Sequence, residues 1–346
     1  MLQSFQVQNF KGHRDTSVAL RPLTLFVGPN ASGKTSLLEA LQTMGLAVAS
    51  DLGLARSKLL GSSTLHRDEQ ELKLAVQGVT ADHGKCSLEI HAVKHSGEVS
   101  ARCILEPPTH VVSSPPGKWS QVKTYPLSTD ILSIGWYAID PVIVARLSPL
   151  ESAQPAVGLN GHGAAAVLAT IKLTDHARYQ KIVETLRQVA PYVEDVHVSP
   201  VQEGVAVGFG IEFDFRGSLH LPAHAASSGT LIALALITAL YGPNRPRIVL
   251  LDELDHSLHP RAQMELVRQL RELVRVEPTL QILATTHSPY VLDAAEPEDV
   301  RVFAQRADGS VAVKPLTEHP QATKLRGTLS AGELWSLDDE QSWVVG

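Results

Sequence analysis

Eight consecutive residues constrain this chain more than anything else in it: Gly28-Pro29-Asn30-Ala31-Ser32-Gly33-Lys34-Thr35. They fit the pattern GxxxxGK followed by Ser or Thr, a match that chance gives in roughly one of several hundred chains of this size. The apolar run Leu23–Val27 before the loop predicts a short buried strand. After it, Leu37, Leu41, Met44 and Val48 share one face at helical spacing. A strand, a glycine loop and a helix start in that order aim backbone N–H groups and the positive helix end at an anion. Asn30, Ala31, Ser32, Gly33, Lys34, Thr35 and Ser36 are therefore candidate phosphate ligands. Lys34 is placed to contact β- and γ-phosphates, and Thr35 to ligate Mg²⁺. The competing reading, an ordinary Gly-rich turn, weakens as the later motifs accumulate.

Ile248-Val249-Leu250-Leu251-Asp252-Glu253 is an apolar run that ends in two carboxylates. A fully buried parallel strand has this composition, and ligands of α/β sheets sit at the carboxyl ends of such strands. Asp252 is a candidate Mg²⁺ ligand, acting through water. Glu253 is a candidate to orient or deprotonate an attacking water, and strand alternation would point the two acids to opposite sides. Asp255 follows in the segment Leu254–Pro260, with Pro260 suited to the first turn of the next helix. Thr285-Thr286-His287-Ser288-Pro289 comes after a second apolar run, Gln281–Ala284. His287 at a strand end can hydrogen-bond a γ-phosphate and its attacking water. Ser288 and Pro289 also read as a helix cap and first position, which explains them without explaining the histidine. Ser227-Ser228-Gly229-Thr230 opens the apolar helix Gly229–Leu240. Alone it is an N-cap, although its unpaired N–H groups form another anion site.

The rest of the chain is read from periodicity. Strands are expected at Leu2–Phe10, Ser17–Leu20, Leu72–Val79, Cys86–Val93, Ala101–Leu105, Ile131–Ile139, Val193–Val198 and Val205–Phe215. Two more are expected between 300 and 316, and helices at His176–Ala190 and Pro260–Val276. Pro107–Gly117 reads as a linker. Net charge is −6, from 30 basic and 36 acidic residues. Bulk charge thus gives no support for strong nonspecific nucleic-acid binding, while leaving room for a local basic patch. Cys86 and Cys103 lack metal spacing and read as small buried hydrophobes in a reducing compartment. No leader peptide is evident. The most apolar stretch, Leu231–Leu240, is too short for a bilayer span. A cytoplasmic protein with no membrane partner is the expectation.

Together these motifs resemble an ABC-type ATPase. The phosphate loop, a Ser-Ser-Gly-Thr signature, an Asp-Glu strand, an Asp loop and a Thr-His switch stand in that family's order. Val7-Gln8-Asn9-Phe10-Lys11, Leu23–Thr35, Leu251–Pro260 and Thr286–Pro289 are similar to the SMC/RecF/OLD branch in particular. The resemblance implies an α/β P-loop NTPase of ABC type: a mixed β-sheet core, an antiparallel β subdomain and an inserted, mainly helical lobe. Its parts would be an N-terminal β lobe (1–106), the inserted lobe ending in the signature helix (107–240), the Asp-Glu and switch segment (241–316) and a tail (317–346). It implies ATP and Mg²⁺ as ligands, with Glu253 and His287 catalytic and Thr35 and Asp252 on the metal. In a homodimer that sandwiches ATP, Ser227, Ser228 and Gly229 would touch the γ-phosphate held by the opposite subunit, with Asp255 in the loop that crosses over. Lys11, His13 and Arg14 are further candidates near the nucleotide.

The function so implied is ATP hydrolysis driving a clamp or switch in DNA repair or anti-phage defence. A separate effector such as a nuclease would give the output, and DNA is a candidate partner. The stretch from Ser288 to Gly346 is too short for the Toprim nuclease of OLD relatives. The family's glutamine loop has no clear counterpart, and Gln121 follows no evident strand. An ABC-transporter ATPase subunit is the alternative, disfavoured by a signature that lacks the longer transporter form. A phosphate-loop kinase is a third reading, disfavoured because Asp-Glu and Thr-His suit water activation better than transfer to a hydroxyl.

Overall fold

The computed structural model describes residues 1–50, 52–61, 69–80, 84–106, 110–114, 119–149, 155–204, 206–325 and 327–345. They form two compact units, between which the chain passes four times. The first comprises 1–135, 247–253 and 270–346; the second comprises 136–246 and 254–269.

Two sheets build the first unit. One is antiparallel, in the order β2 (His13–Ala19), β1 (Leu2–Phe10), β4 (Glu71–Thr80), β5 (Gly84–Val93), β6 (Glu98–Glu106), β7 (His110–Ser114). Leu2, Phe5, Val7 and Phe10 bury one side of β1 while the residues between them are more exposed, the pattern of a sheet with one covered face. The meander expected from 72 to 105 is present as β4, β5 and β6, joined at register pairs such as Val76↔Leu88 and Leu88↔Cys103. The linker reading of Pro107–Gly117 needs correction. Residues 110–114 are strand β7, paired with β6 through Cys103↔Val112; 107–109 and 115–117 lie outside the described residues. His-Val-Val is β-prone, but the prolines on either side hide it from a composition reading.

The other sheet runs β15 (Val311–Pro315), β14 (Val300–Gln305), β3 (Leu23–Val27), β13 (Gln281–Thr285), β12 (Ile248–Leu251), β8 (Ile134–Tyr137). Strands β14, β3, β13 and β12 are mutually parallel. Every residue of β3, β12 and β13 is buried, which is why these strands read as unbroken apolar runs. The register pairs Leu251↔Ala284 and Thr285↔Phe26 bring the carboxyl ends of β12, β13 and β3 to one edge. The strand expected over 131–139 is shorter than that: helix α3 (Ser128–Leu132) precedes β8.

Helix α1 (Lys34–Ala49) touches β1 and β4 of one sheet and β13 of the other, and buries Leu37, Leu41, Met44 and Val48. A second tie is polar. The buried Gln281 side chain accepts from the Leu2 N–H at 3.1 Å and donates to the carbonyls of Leu2 (2.8 Å) and Arg21 (3.0 Å). A fully satisfied amide of this kind fixes the register between the two sheets. Helices α2 (Leu52–Leu60), α9 (Pro289–Asp293) and α10 (Ala331–Trp335) complete this unit.

The second unit has its own antiparallel sheet, β11 (Ser218–Pro222), β10 (Ala206–Phe215), β9 (Val193–Glu203), with helices α4 (Pro141–Val144), α5 (Ala164–Thr174), α6 (His176–Val189) and α7 (Ser228–Tyr241). Tyr179, Ile182, Leu186 and Val189 form the buried face of α6, and the Tyr179 hydroxyl donates to the Val196 carbonyl at 2.5 Å. Helix α7 is apolar on all sides and buried from Thr230 to Leu240 apart from Ile232. Helix α8 (Pro260–Val276) runs through the point where the chain returns to the first unit. Among the described residues, no helix is long and apolar enough to cross a membrane.

Candidate functional site

The phosphate loop leaves β3 through Gly28, at φ 145°, and enters α1 through Gly33, at φ 100°. Both positions require glycine. A Cβ on Gly28 would stand 2.3 Å from the Phe303 carbonyl oxygen, and one on Gly33 would stand 2.5 Å from a Val311 methyl. Ala31 also holds a left-handed backbone, φ 61°, an uncommon state for a residue with a Cβ. Asn30 and Ala31 are exposed, Ser32 is buried, and Gly33 and Ser36 are half-buried. Lys34 is buried, its ammonium donating to the carbonyls of Gly28 (2.9 Å) and Pro29 (2.8 Å) and to the Ser32 hydroxyl (3.4 Å). The lysine thus sits inside the ring of backbone that an anion would face.

The three basic residues proposed near this loop have distinct placements. His13 is fully buried, with Nδ1 3.0 Å from Thr16 Oγ1 and Nε2 3.1 Å from the Gly33 carbonyl, so it braces the loop from beneath. Lys11 pairs with Glu39 on α1. Arg14 is exposed and 3.9 Å from Asp308.

The aligned strand ends carry the acids. The Thr35 hydroxyl donates to Asp252 Oδ1 at 3.0 Å, and the Thr285 hydroxyl donates to the same oxygen at 2.5 Å. Thr285 also accepts from the Glu253 N–H at 2.8 Å. Strand alternation does not separate the two carboxylates, because β12 ends at Leu251. The separation comes instead from Glu253, whose left-handed backbone (φ 52°) turns the chain. Asp252 is left half-buried and Glu253 exposed. Thr285 is the residue that motif reading passed over. It is buried, and its signal was a hydroxyl at the end of the strand beside the acidic one.

His287 lies half-buried just past β13. The chain there is held by the Thr286 N–H on the Phe26 carbonyl at 3.0 Å. Pro289 takes the first turn of α9 as expected, but the cap expected from Ser288 is absent: Ser288 is the N-cap residue by backbone alone. The Thr286 hydroxyl accepts from the Ser288 N–H at 3.0 Å instead.

Thr35 and Asp252 offer hard oxygen donors 3.0 Å apart. Hard oxygen donors of this kind suit Mg²⁺, which keeps several of its waters and is bound by few protein oxygens, so the donor set fits that ion with Asp252 acting through water.

The remaining candidates belong to the second unit. Ser227 caps α7, its hydroxyl accepting from the Thr230 N–H at 3.2 Å and lying 2.7 Å from the Thr230 hydroxyl. The Tyr192 hydroxyl is 2.8 Å from that of Thr230. Ser227 and Ser228 are exposed. Gly229 is required, because a Cβ there would stand 2.6 Å from the Ser257 carbonyl oxygen. The Asp255 loop is held by Gln263, whose amide donates to the carbonyls of Asp255 (3.1 Å) and Leu258 (2.8 Å). The start of α7 and this loop border a cavity of about 520 Å³, whose lining includes Tyr192, Arg216, Ser227, Gly229 and Arg261.

Family models, curated relatives and solved structures match this chain. Residues 136–293 match a family described as "AAA domain, putative AbiEii toxin, Type IV TA system", and residues 1–50 match "AAA ATPase domain". An OLD nuclease of Thermus scotoductus is 24% identical over 93% of this chain and 65% of its own length. The Septu protein PtuA of Bacillus mycoides is 21% identical over 95% of this chain and 44% of its own. The chain therefore spans less than two thirds of these relatives. Among solved structures, an Smc head bound to the C-terminal winged-helix domain of ScpA superposes with a TM-score of 0.64 and 15% identity, over 90% of this chain and 97% of that one. The SMC head domain from Thermotoga maritima gives 0.53 and 14%, over 91% and 98%. With the phosphate loop beside the acidic strand end, these likenesses show the fold of the SMC-head P-loop ATPase domains and make the chain similar to ABC-type ATPases of the SMC/RecF/OLD kind.

Proposed function

We propose that the chain hydrolyses ATP and acts as an ATP-dependent dimerising clamp or switch in DNA repair or anti-phage defence, working with a separate effector protein. The observation that carries the catalytic part is Asp252, held by the hydroxyls of Thr35 and Thr285 beside the phosphate loop. Lys34 would exchange the carbonyls of Gly28 and Pro29 for the β- and γ-phosphates. Thr35, and Asp252 through water, would hold Mg²⁺, which neutralises charge on the bound phosphates. Glu253, exposed just past Asp252, would orient or deprotonate the attacking water, and His287 would hydrogen-bond that water and the γ-phosphate.

Dimerisation is supported by the exposure of Ser227 and Ser228 at a helix start. A triphosphate that is to be buried needs donors on all sides, and a second copy supplies them only while the γ-phosphate is present. The likeness to an OLD nuclease and to the Septu protein PtuA supports a partnership with an effector such as a nuclease.

The test is the Glu253→Gln variant, sized by light scattering with and without Mg-ATP. It should bind ATP, turn over at least about 100-fold more slowly than the wild type, and elute as a dimer only with ATP. Adding Ser228→Arg should return it to monomer while nucleotide binding persists. Normal turnover by Glu253→Gln would refute the catalytic assignment. A dimer that survives Ser228→Arg would refute the sandwich.

A further inference from the structure

The sheet of the second unit carries a side-chain cluster that the nucleotide chemistry does not use. His197 lies on β9, Asp214 on β10 and His220 on β11. His197 Nε2 is 2.7 Å from Asp214 Oδ2, and His220 Nδ1 is 3.7 Å from Asp214 Oδ1. The two imidazole centroids are 4.8 Å apart, and one ligand atom from each residue lies within 4.8 Å of the other two. Among the described residues this is the one such grouping of His, Cys, Asp and Glu.

The backbone shows how the three come together. His197 pairs with Glu212, so Asp214, two residues on, is its diagonal neighbour on the same face. The β10–β11 register slips between Phe213 and Phe215, opposite His220, which adopts a left-handed φ of 53°. In that state its N–H donates to Asp214 Oδ1 at 2.7 Å. A left-handed backbone is strained for a residue with a Cβ. A simple ion pair on Asp214 would need only one histidine and no such distortion.

We propose that His197, Asp214 and His220 form a binding site for a divalent transition-metal ion, with Zn²⁺ the best fit. Two imidazoles and one carboxylate, with the fourth position left to water, are a known zinc donor set, and calcium and magnesium prefer oxygen alone. Tetrahedral ligands with bonds of about 2.0–2.1 Å lie about 3.3 Å apart, and the three candidate ligand atoms here lie within 4.8 Å of one another, so side-chain rotation would close the site on an ion. Its side chains are 30%, 15% and 62% exposed, so an ion can enter. Such an ion would pin all three strands together. One of them, β11, leads through the short turn Ala223–Ala225 into the signature serines.

The experiment uses the tag-free chain, stripped with a chelator and then titrated with Zn²⁺ against a chromophoric chelator and, separately, with Co²⁺. The wild type should take up one zinc per chain, and Co²⁺ should give the intense visible bands of tetrahedral coordination. His220→Gln, at the exposed position, should weaken zinc binding by about 10- to 100-fold or more and abolish those bands. Its metal-free melting curve should match the wild type, and Asp214→Asn should repeat the loss. Equal zinc uptake by wild type and both variants, or weak octahedral Co²⁺ spectra in all of them, would overturn the site.

Discussion

Replacing Thr285 by valine tests the geometry of the acidic strand end without changing its shape. Thr285 is 1% exposed, and its hydroxyl makes two bonds, to Asp252 Oδ1 at 2.5 Å and from the Glu253 N–H at 2.8 Å. Losing a hydrogen bond to a charged group costs about 1.5–3 kcal/mol, and a stranded N–H adds about 1–3 kcal/mol where water cannot reach it. Asp252 is half-buried, so water recovers part of the first term. The methyl that replaces the hydroxyl returns about 0.8 kcal/mol. The net expectation is a loss of about 2–3 kcal/mol. Thr285→Ser keeps both bonds and forfeits only a methyl, about 1 kcal/mol. Urea unfolding of the three proteins should rank them wild type, serine, valine. The functional reading is sharper. With Thr285 gone, Asp252 keeps only the Thr35 contact among its two hydroxyl partners, and loss of an outer partner of a metal ligand typically costs about 10- to 100-fold in metal affinity or activity. Mg²⁺ titration of ATP turnover should show that loss for valine and recovery for serine. If Thr285→Val keeps both the Mg²⁺ requirement and the rate of the wild type, Thr285 does not position Asp252 for a metal, whatever it does for stability.

Two further outcomes follow from single contacts. Gly229→Ala sets propensity against space: alanine favours a helix by about 1 kcal/mol, but its Cβ would meet the Ser257 carbonyl at 2.6 Å, an overlap that costs about 1–3 kcal/mol. Urea unfolding should show net destabilisation, and a stabilised variant would mean the Asp255–Leu258 turn yields freely. His319 is fully buried, with Trp343 edge-on at 5.0 Å. Burial pushes its pKa below the ordinary 6.5, and Asp338, 3.3 Å away, offsets this in part. A depressed folded value means that the unfolded chain binds the proton more readily. The contribution of His319 is therefore complete above pH 6.5 and is lost as pH falls through the folded value. Melting temperature should drop less between pH 7 and 5 in His319→Gln than in the wild type, and parallel curves would refute this.

What could be read from the sequence is what local backbone chemistry dictates. Leu23–Val27 and Pro260–Val276 were legible to the residue, because an apolar run bounded by a glycine loop and a proline start bounded by helical spacing leave few alternatives. Strand β7 was not, since its five residues sit among prolines and gain their hydrogen bonds only from β6. The third sheet was legible in β9 and β10 but not in β11. There the pattern is broken by the register slip that places His220, so the irregularity that hides the strand also creates the histidine cluster.

At the acidic pair the structure replaces the reason that strand alternation offers for dividing the two carboxylates. Alternation along a strand would divide Asp252 from Glu253 at no cost, and any strand ending in two acids would then serve. Here the strand stops at Leu251 and the division depends on a left-handed glutamate. That state is tolerated because the Glu253 N–H has a fixed acceptor in the Thr285 hydroxyl, which also binds Asp252. One buried hydroxyl on the neighbouring strand thus sets both the position of the proposed metal ligand and the turn that presents the proposed base. The proposed function of this strand end would then be a property of two strands in register, Leu251↔Ala284, and the residue to watch beside an Asp-Glu motif is the hydroxyl one position past that pair.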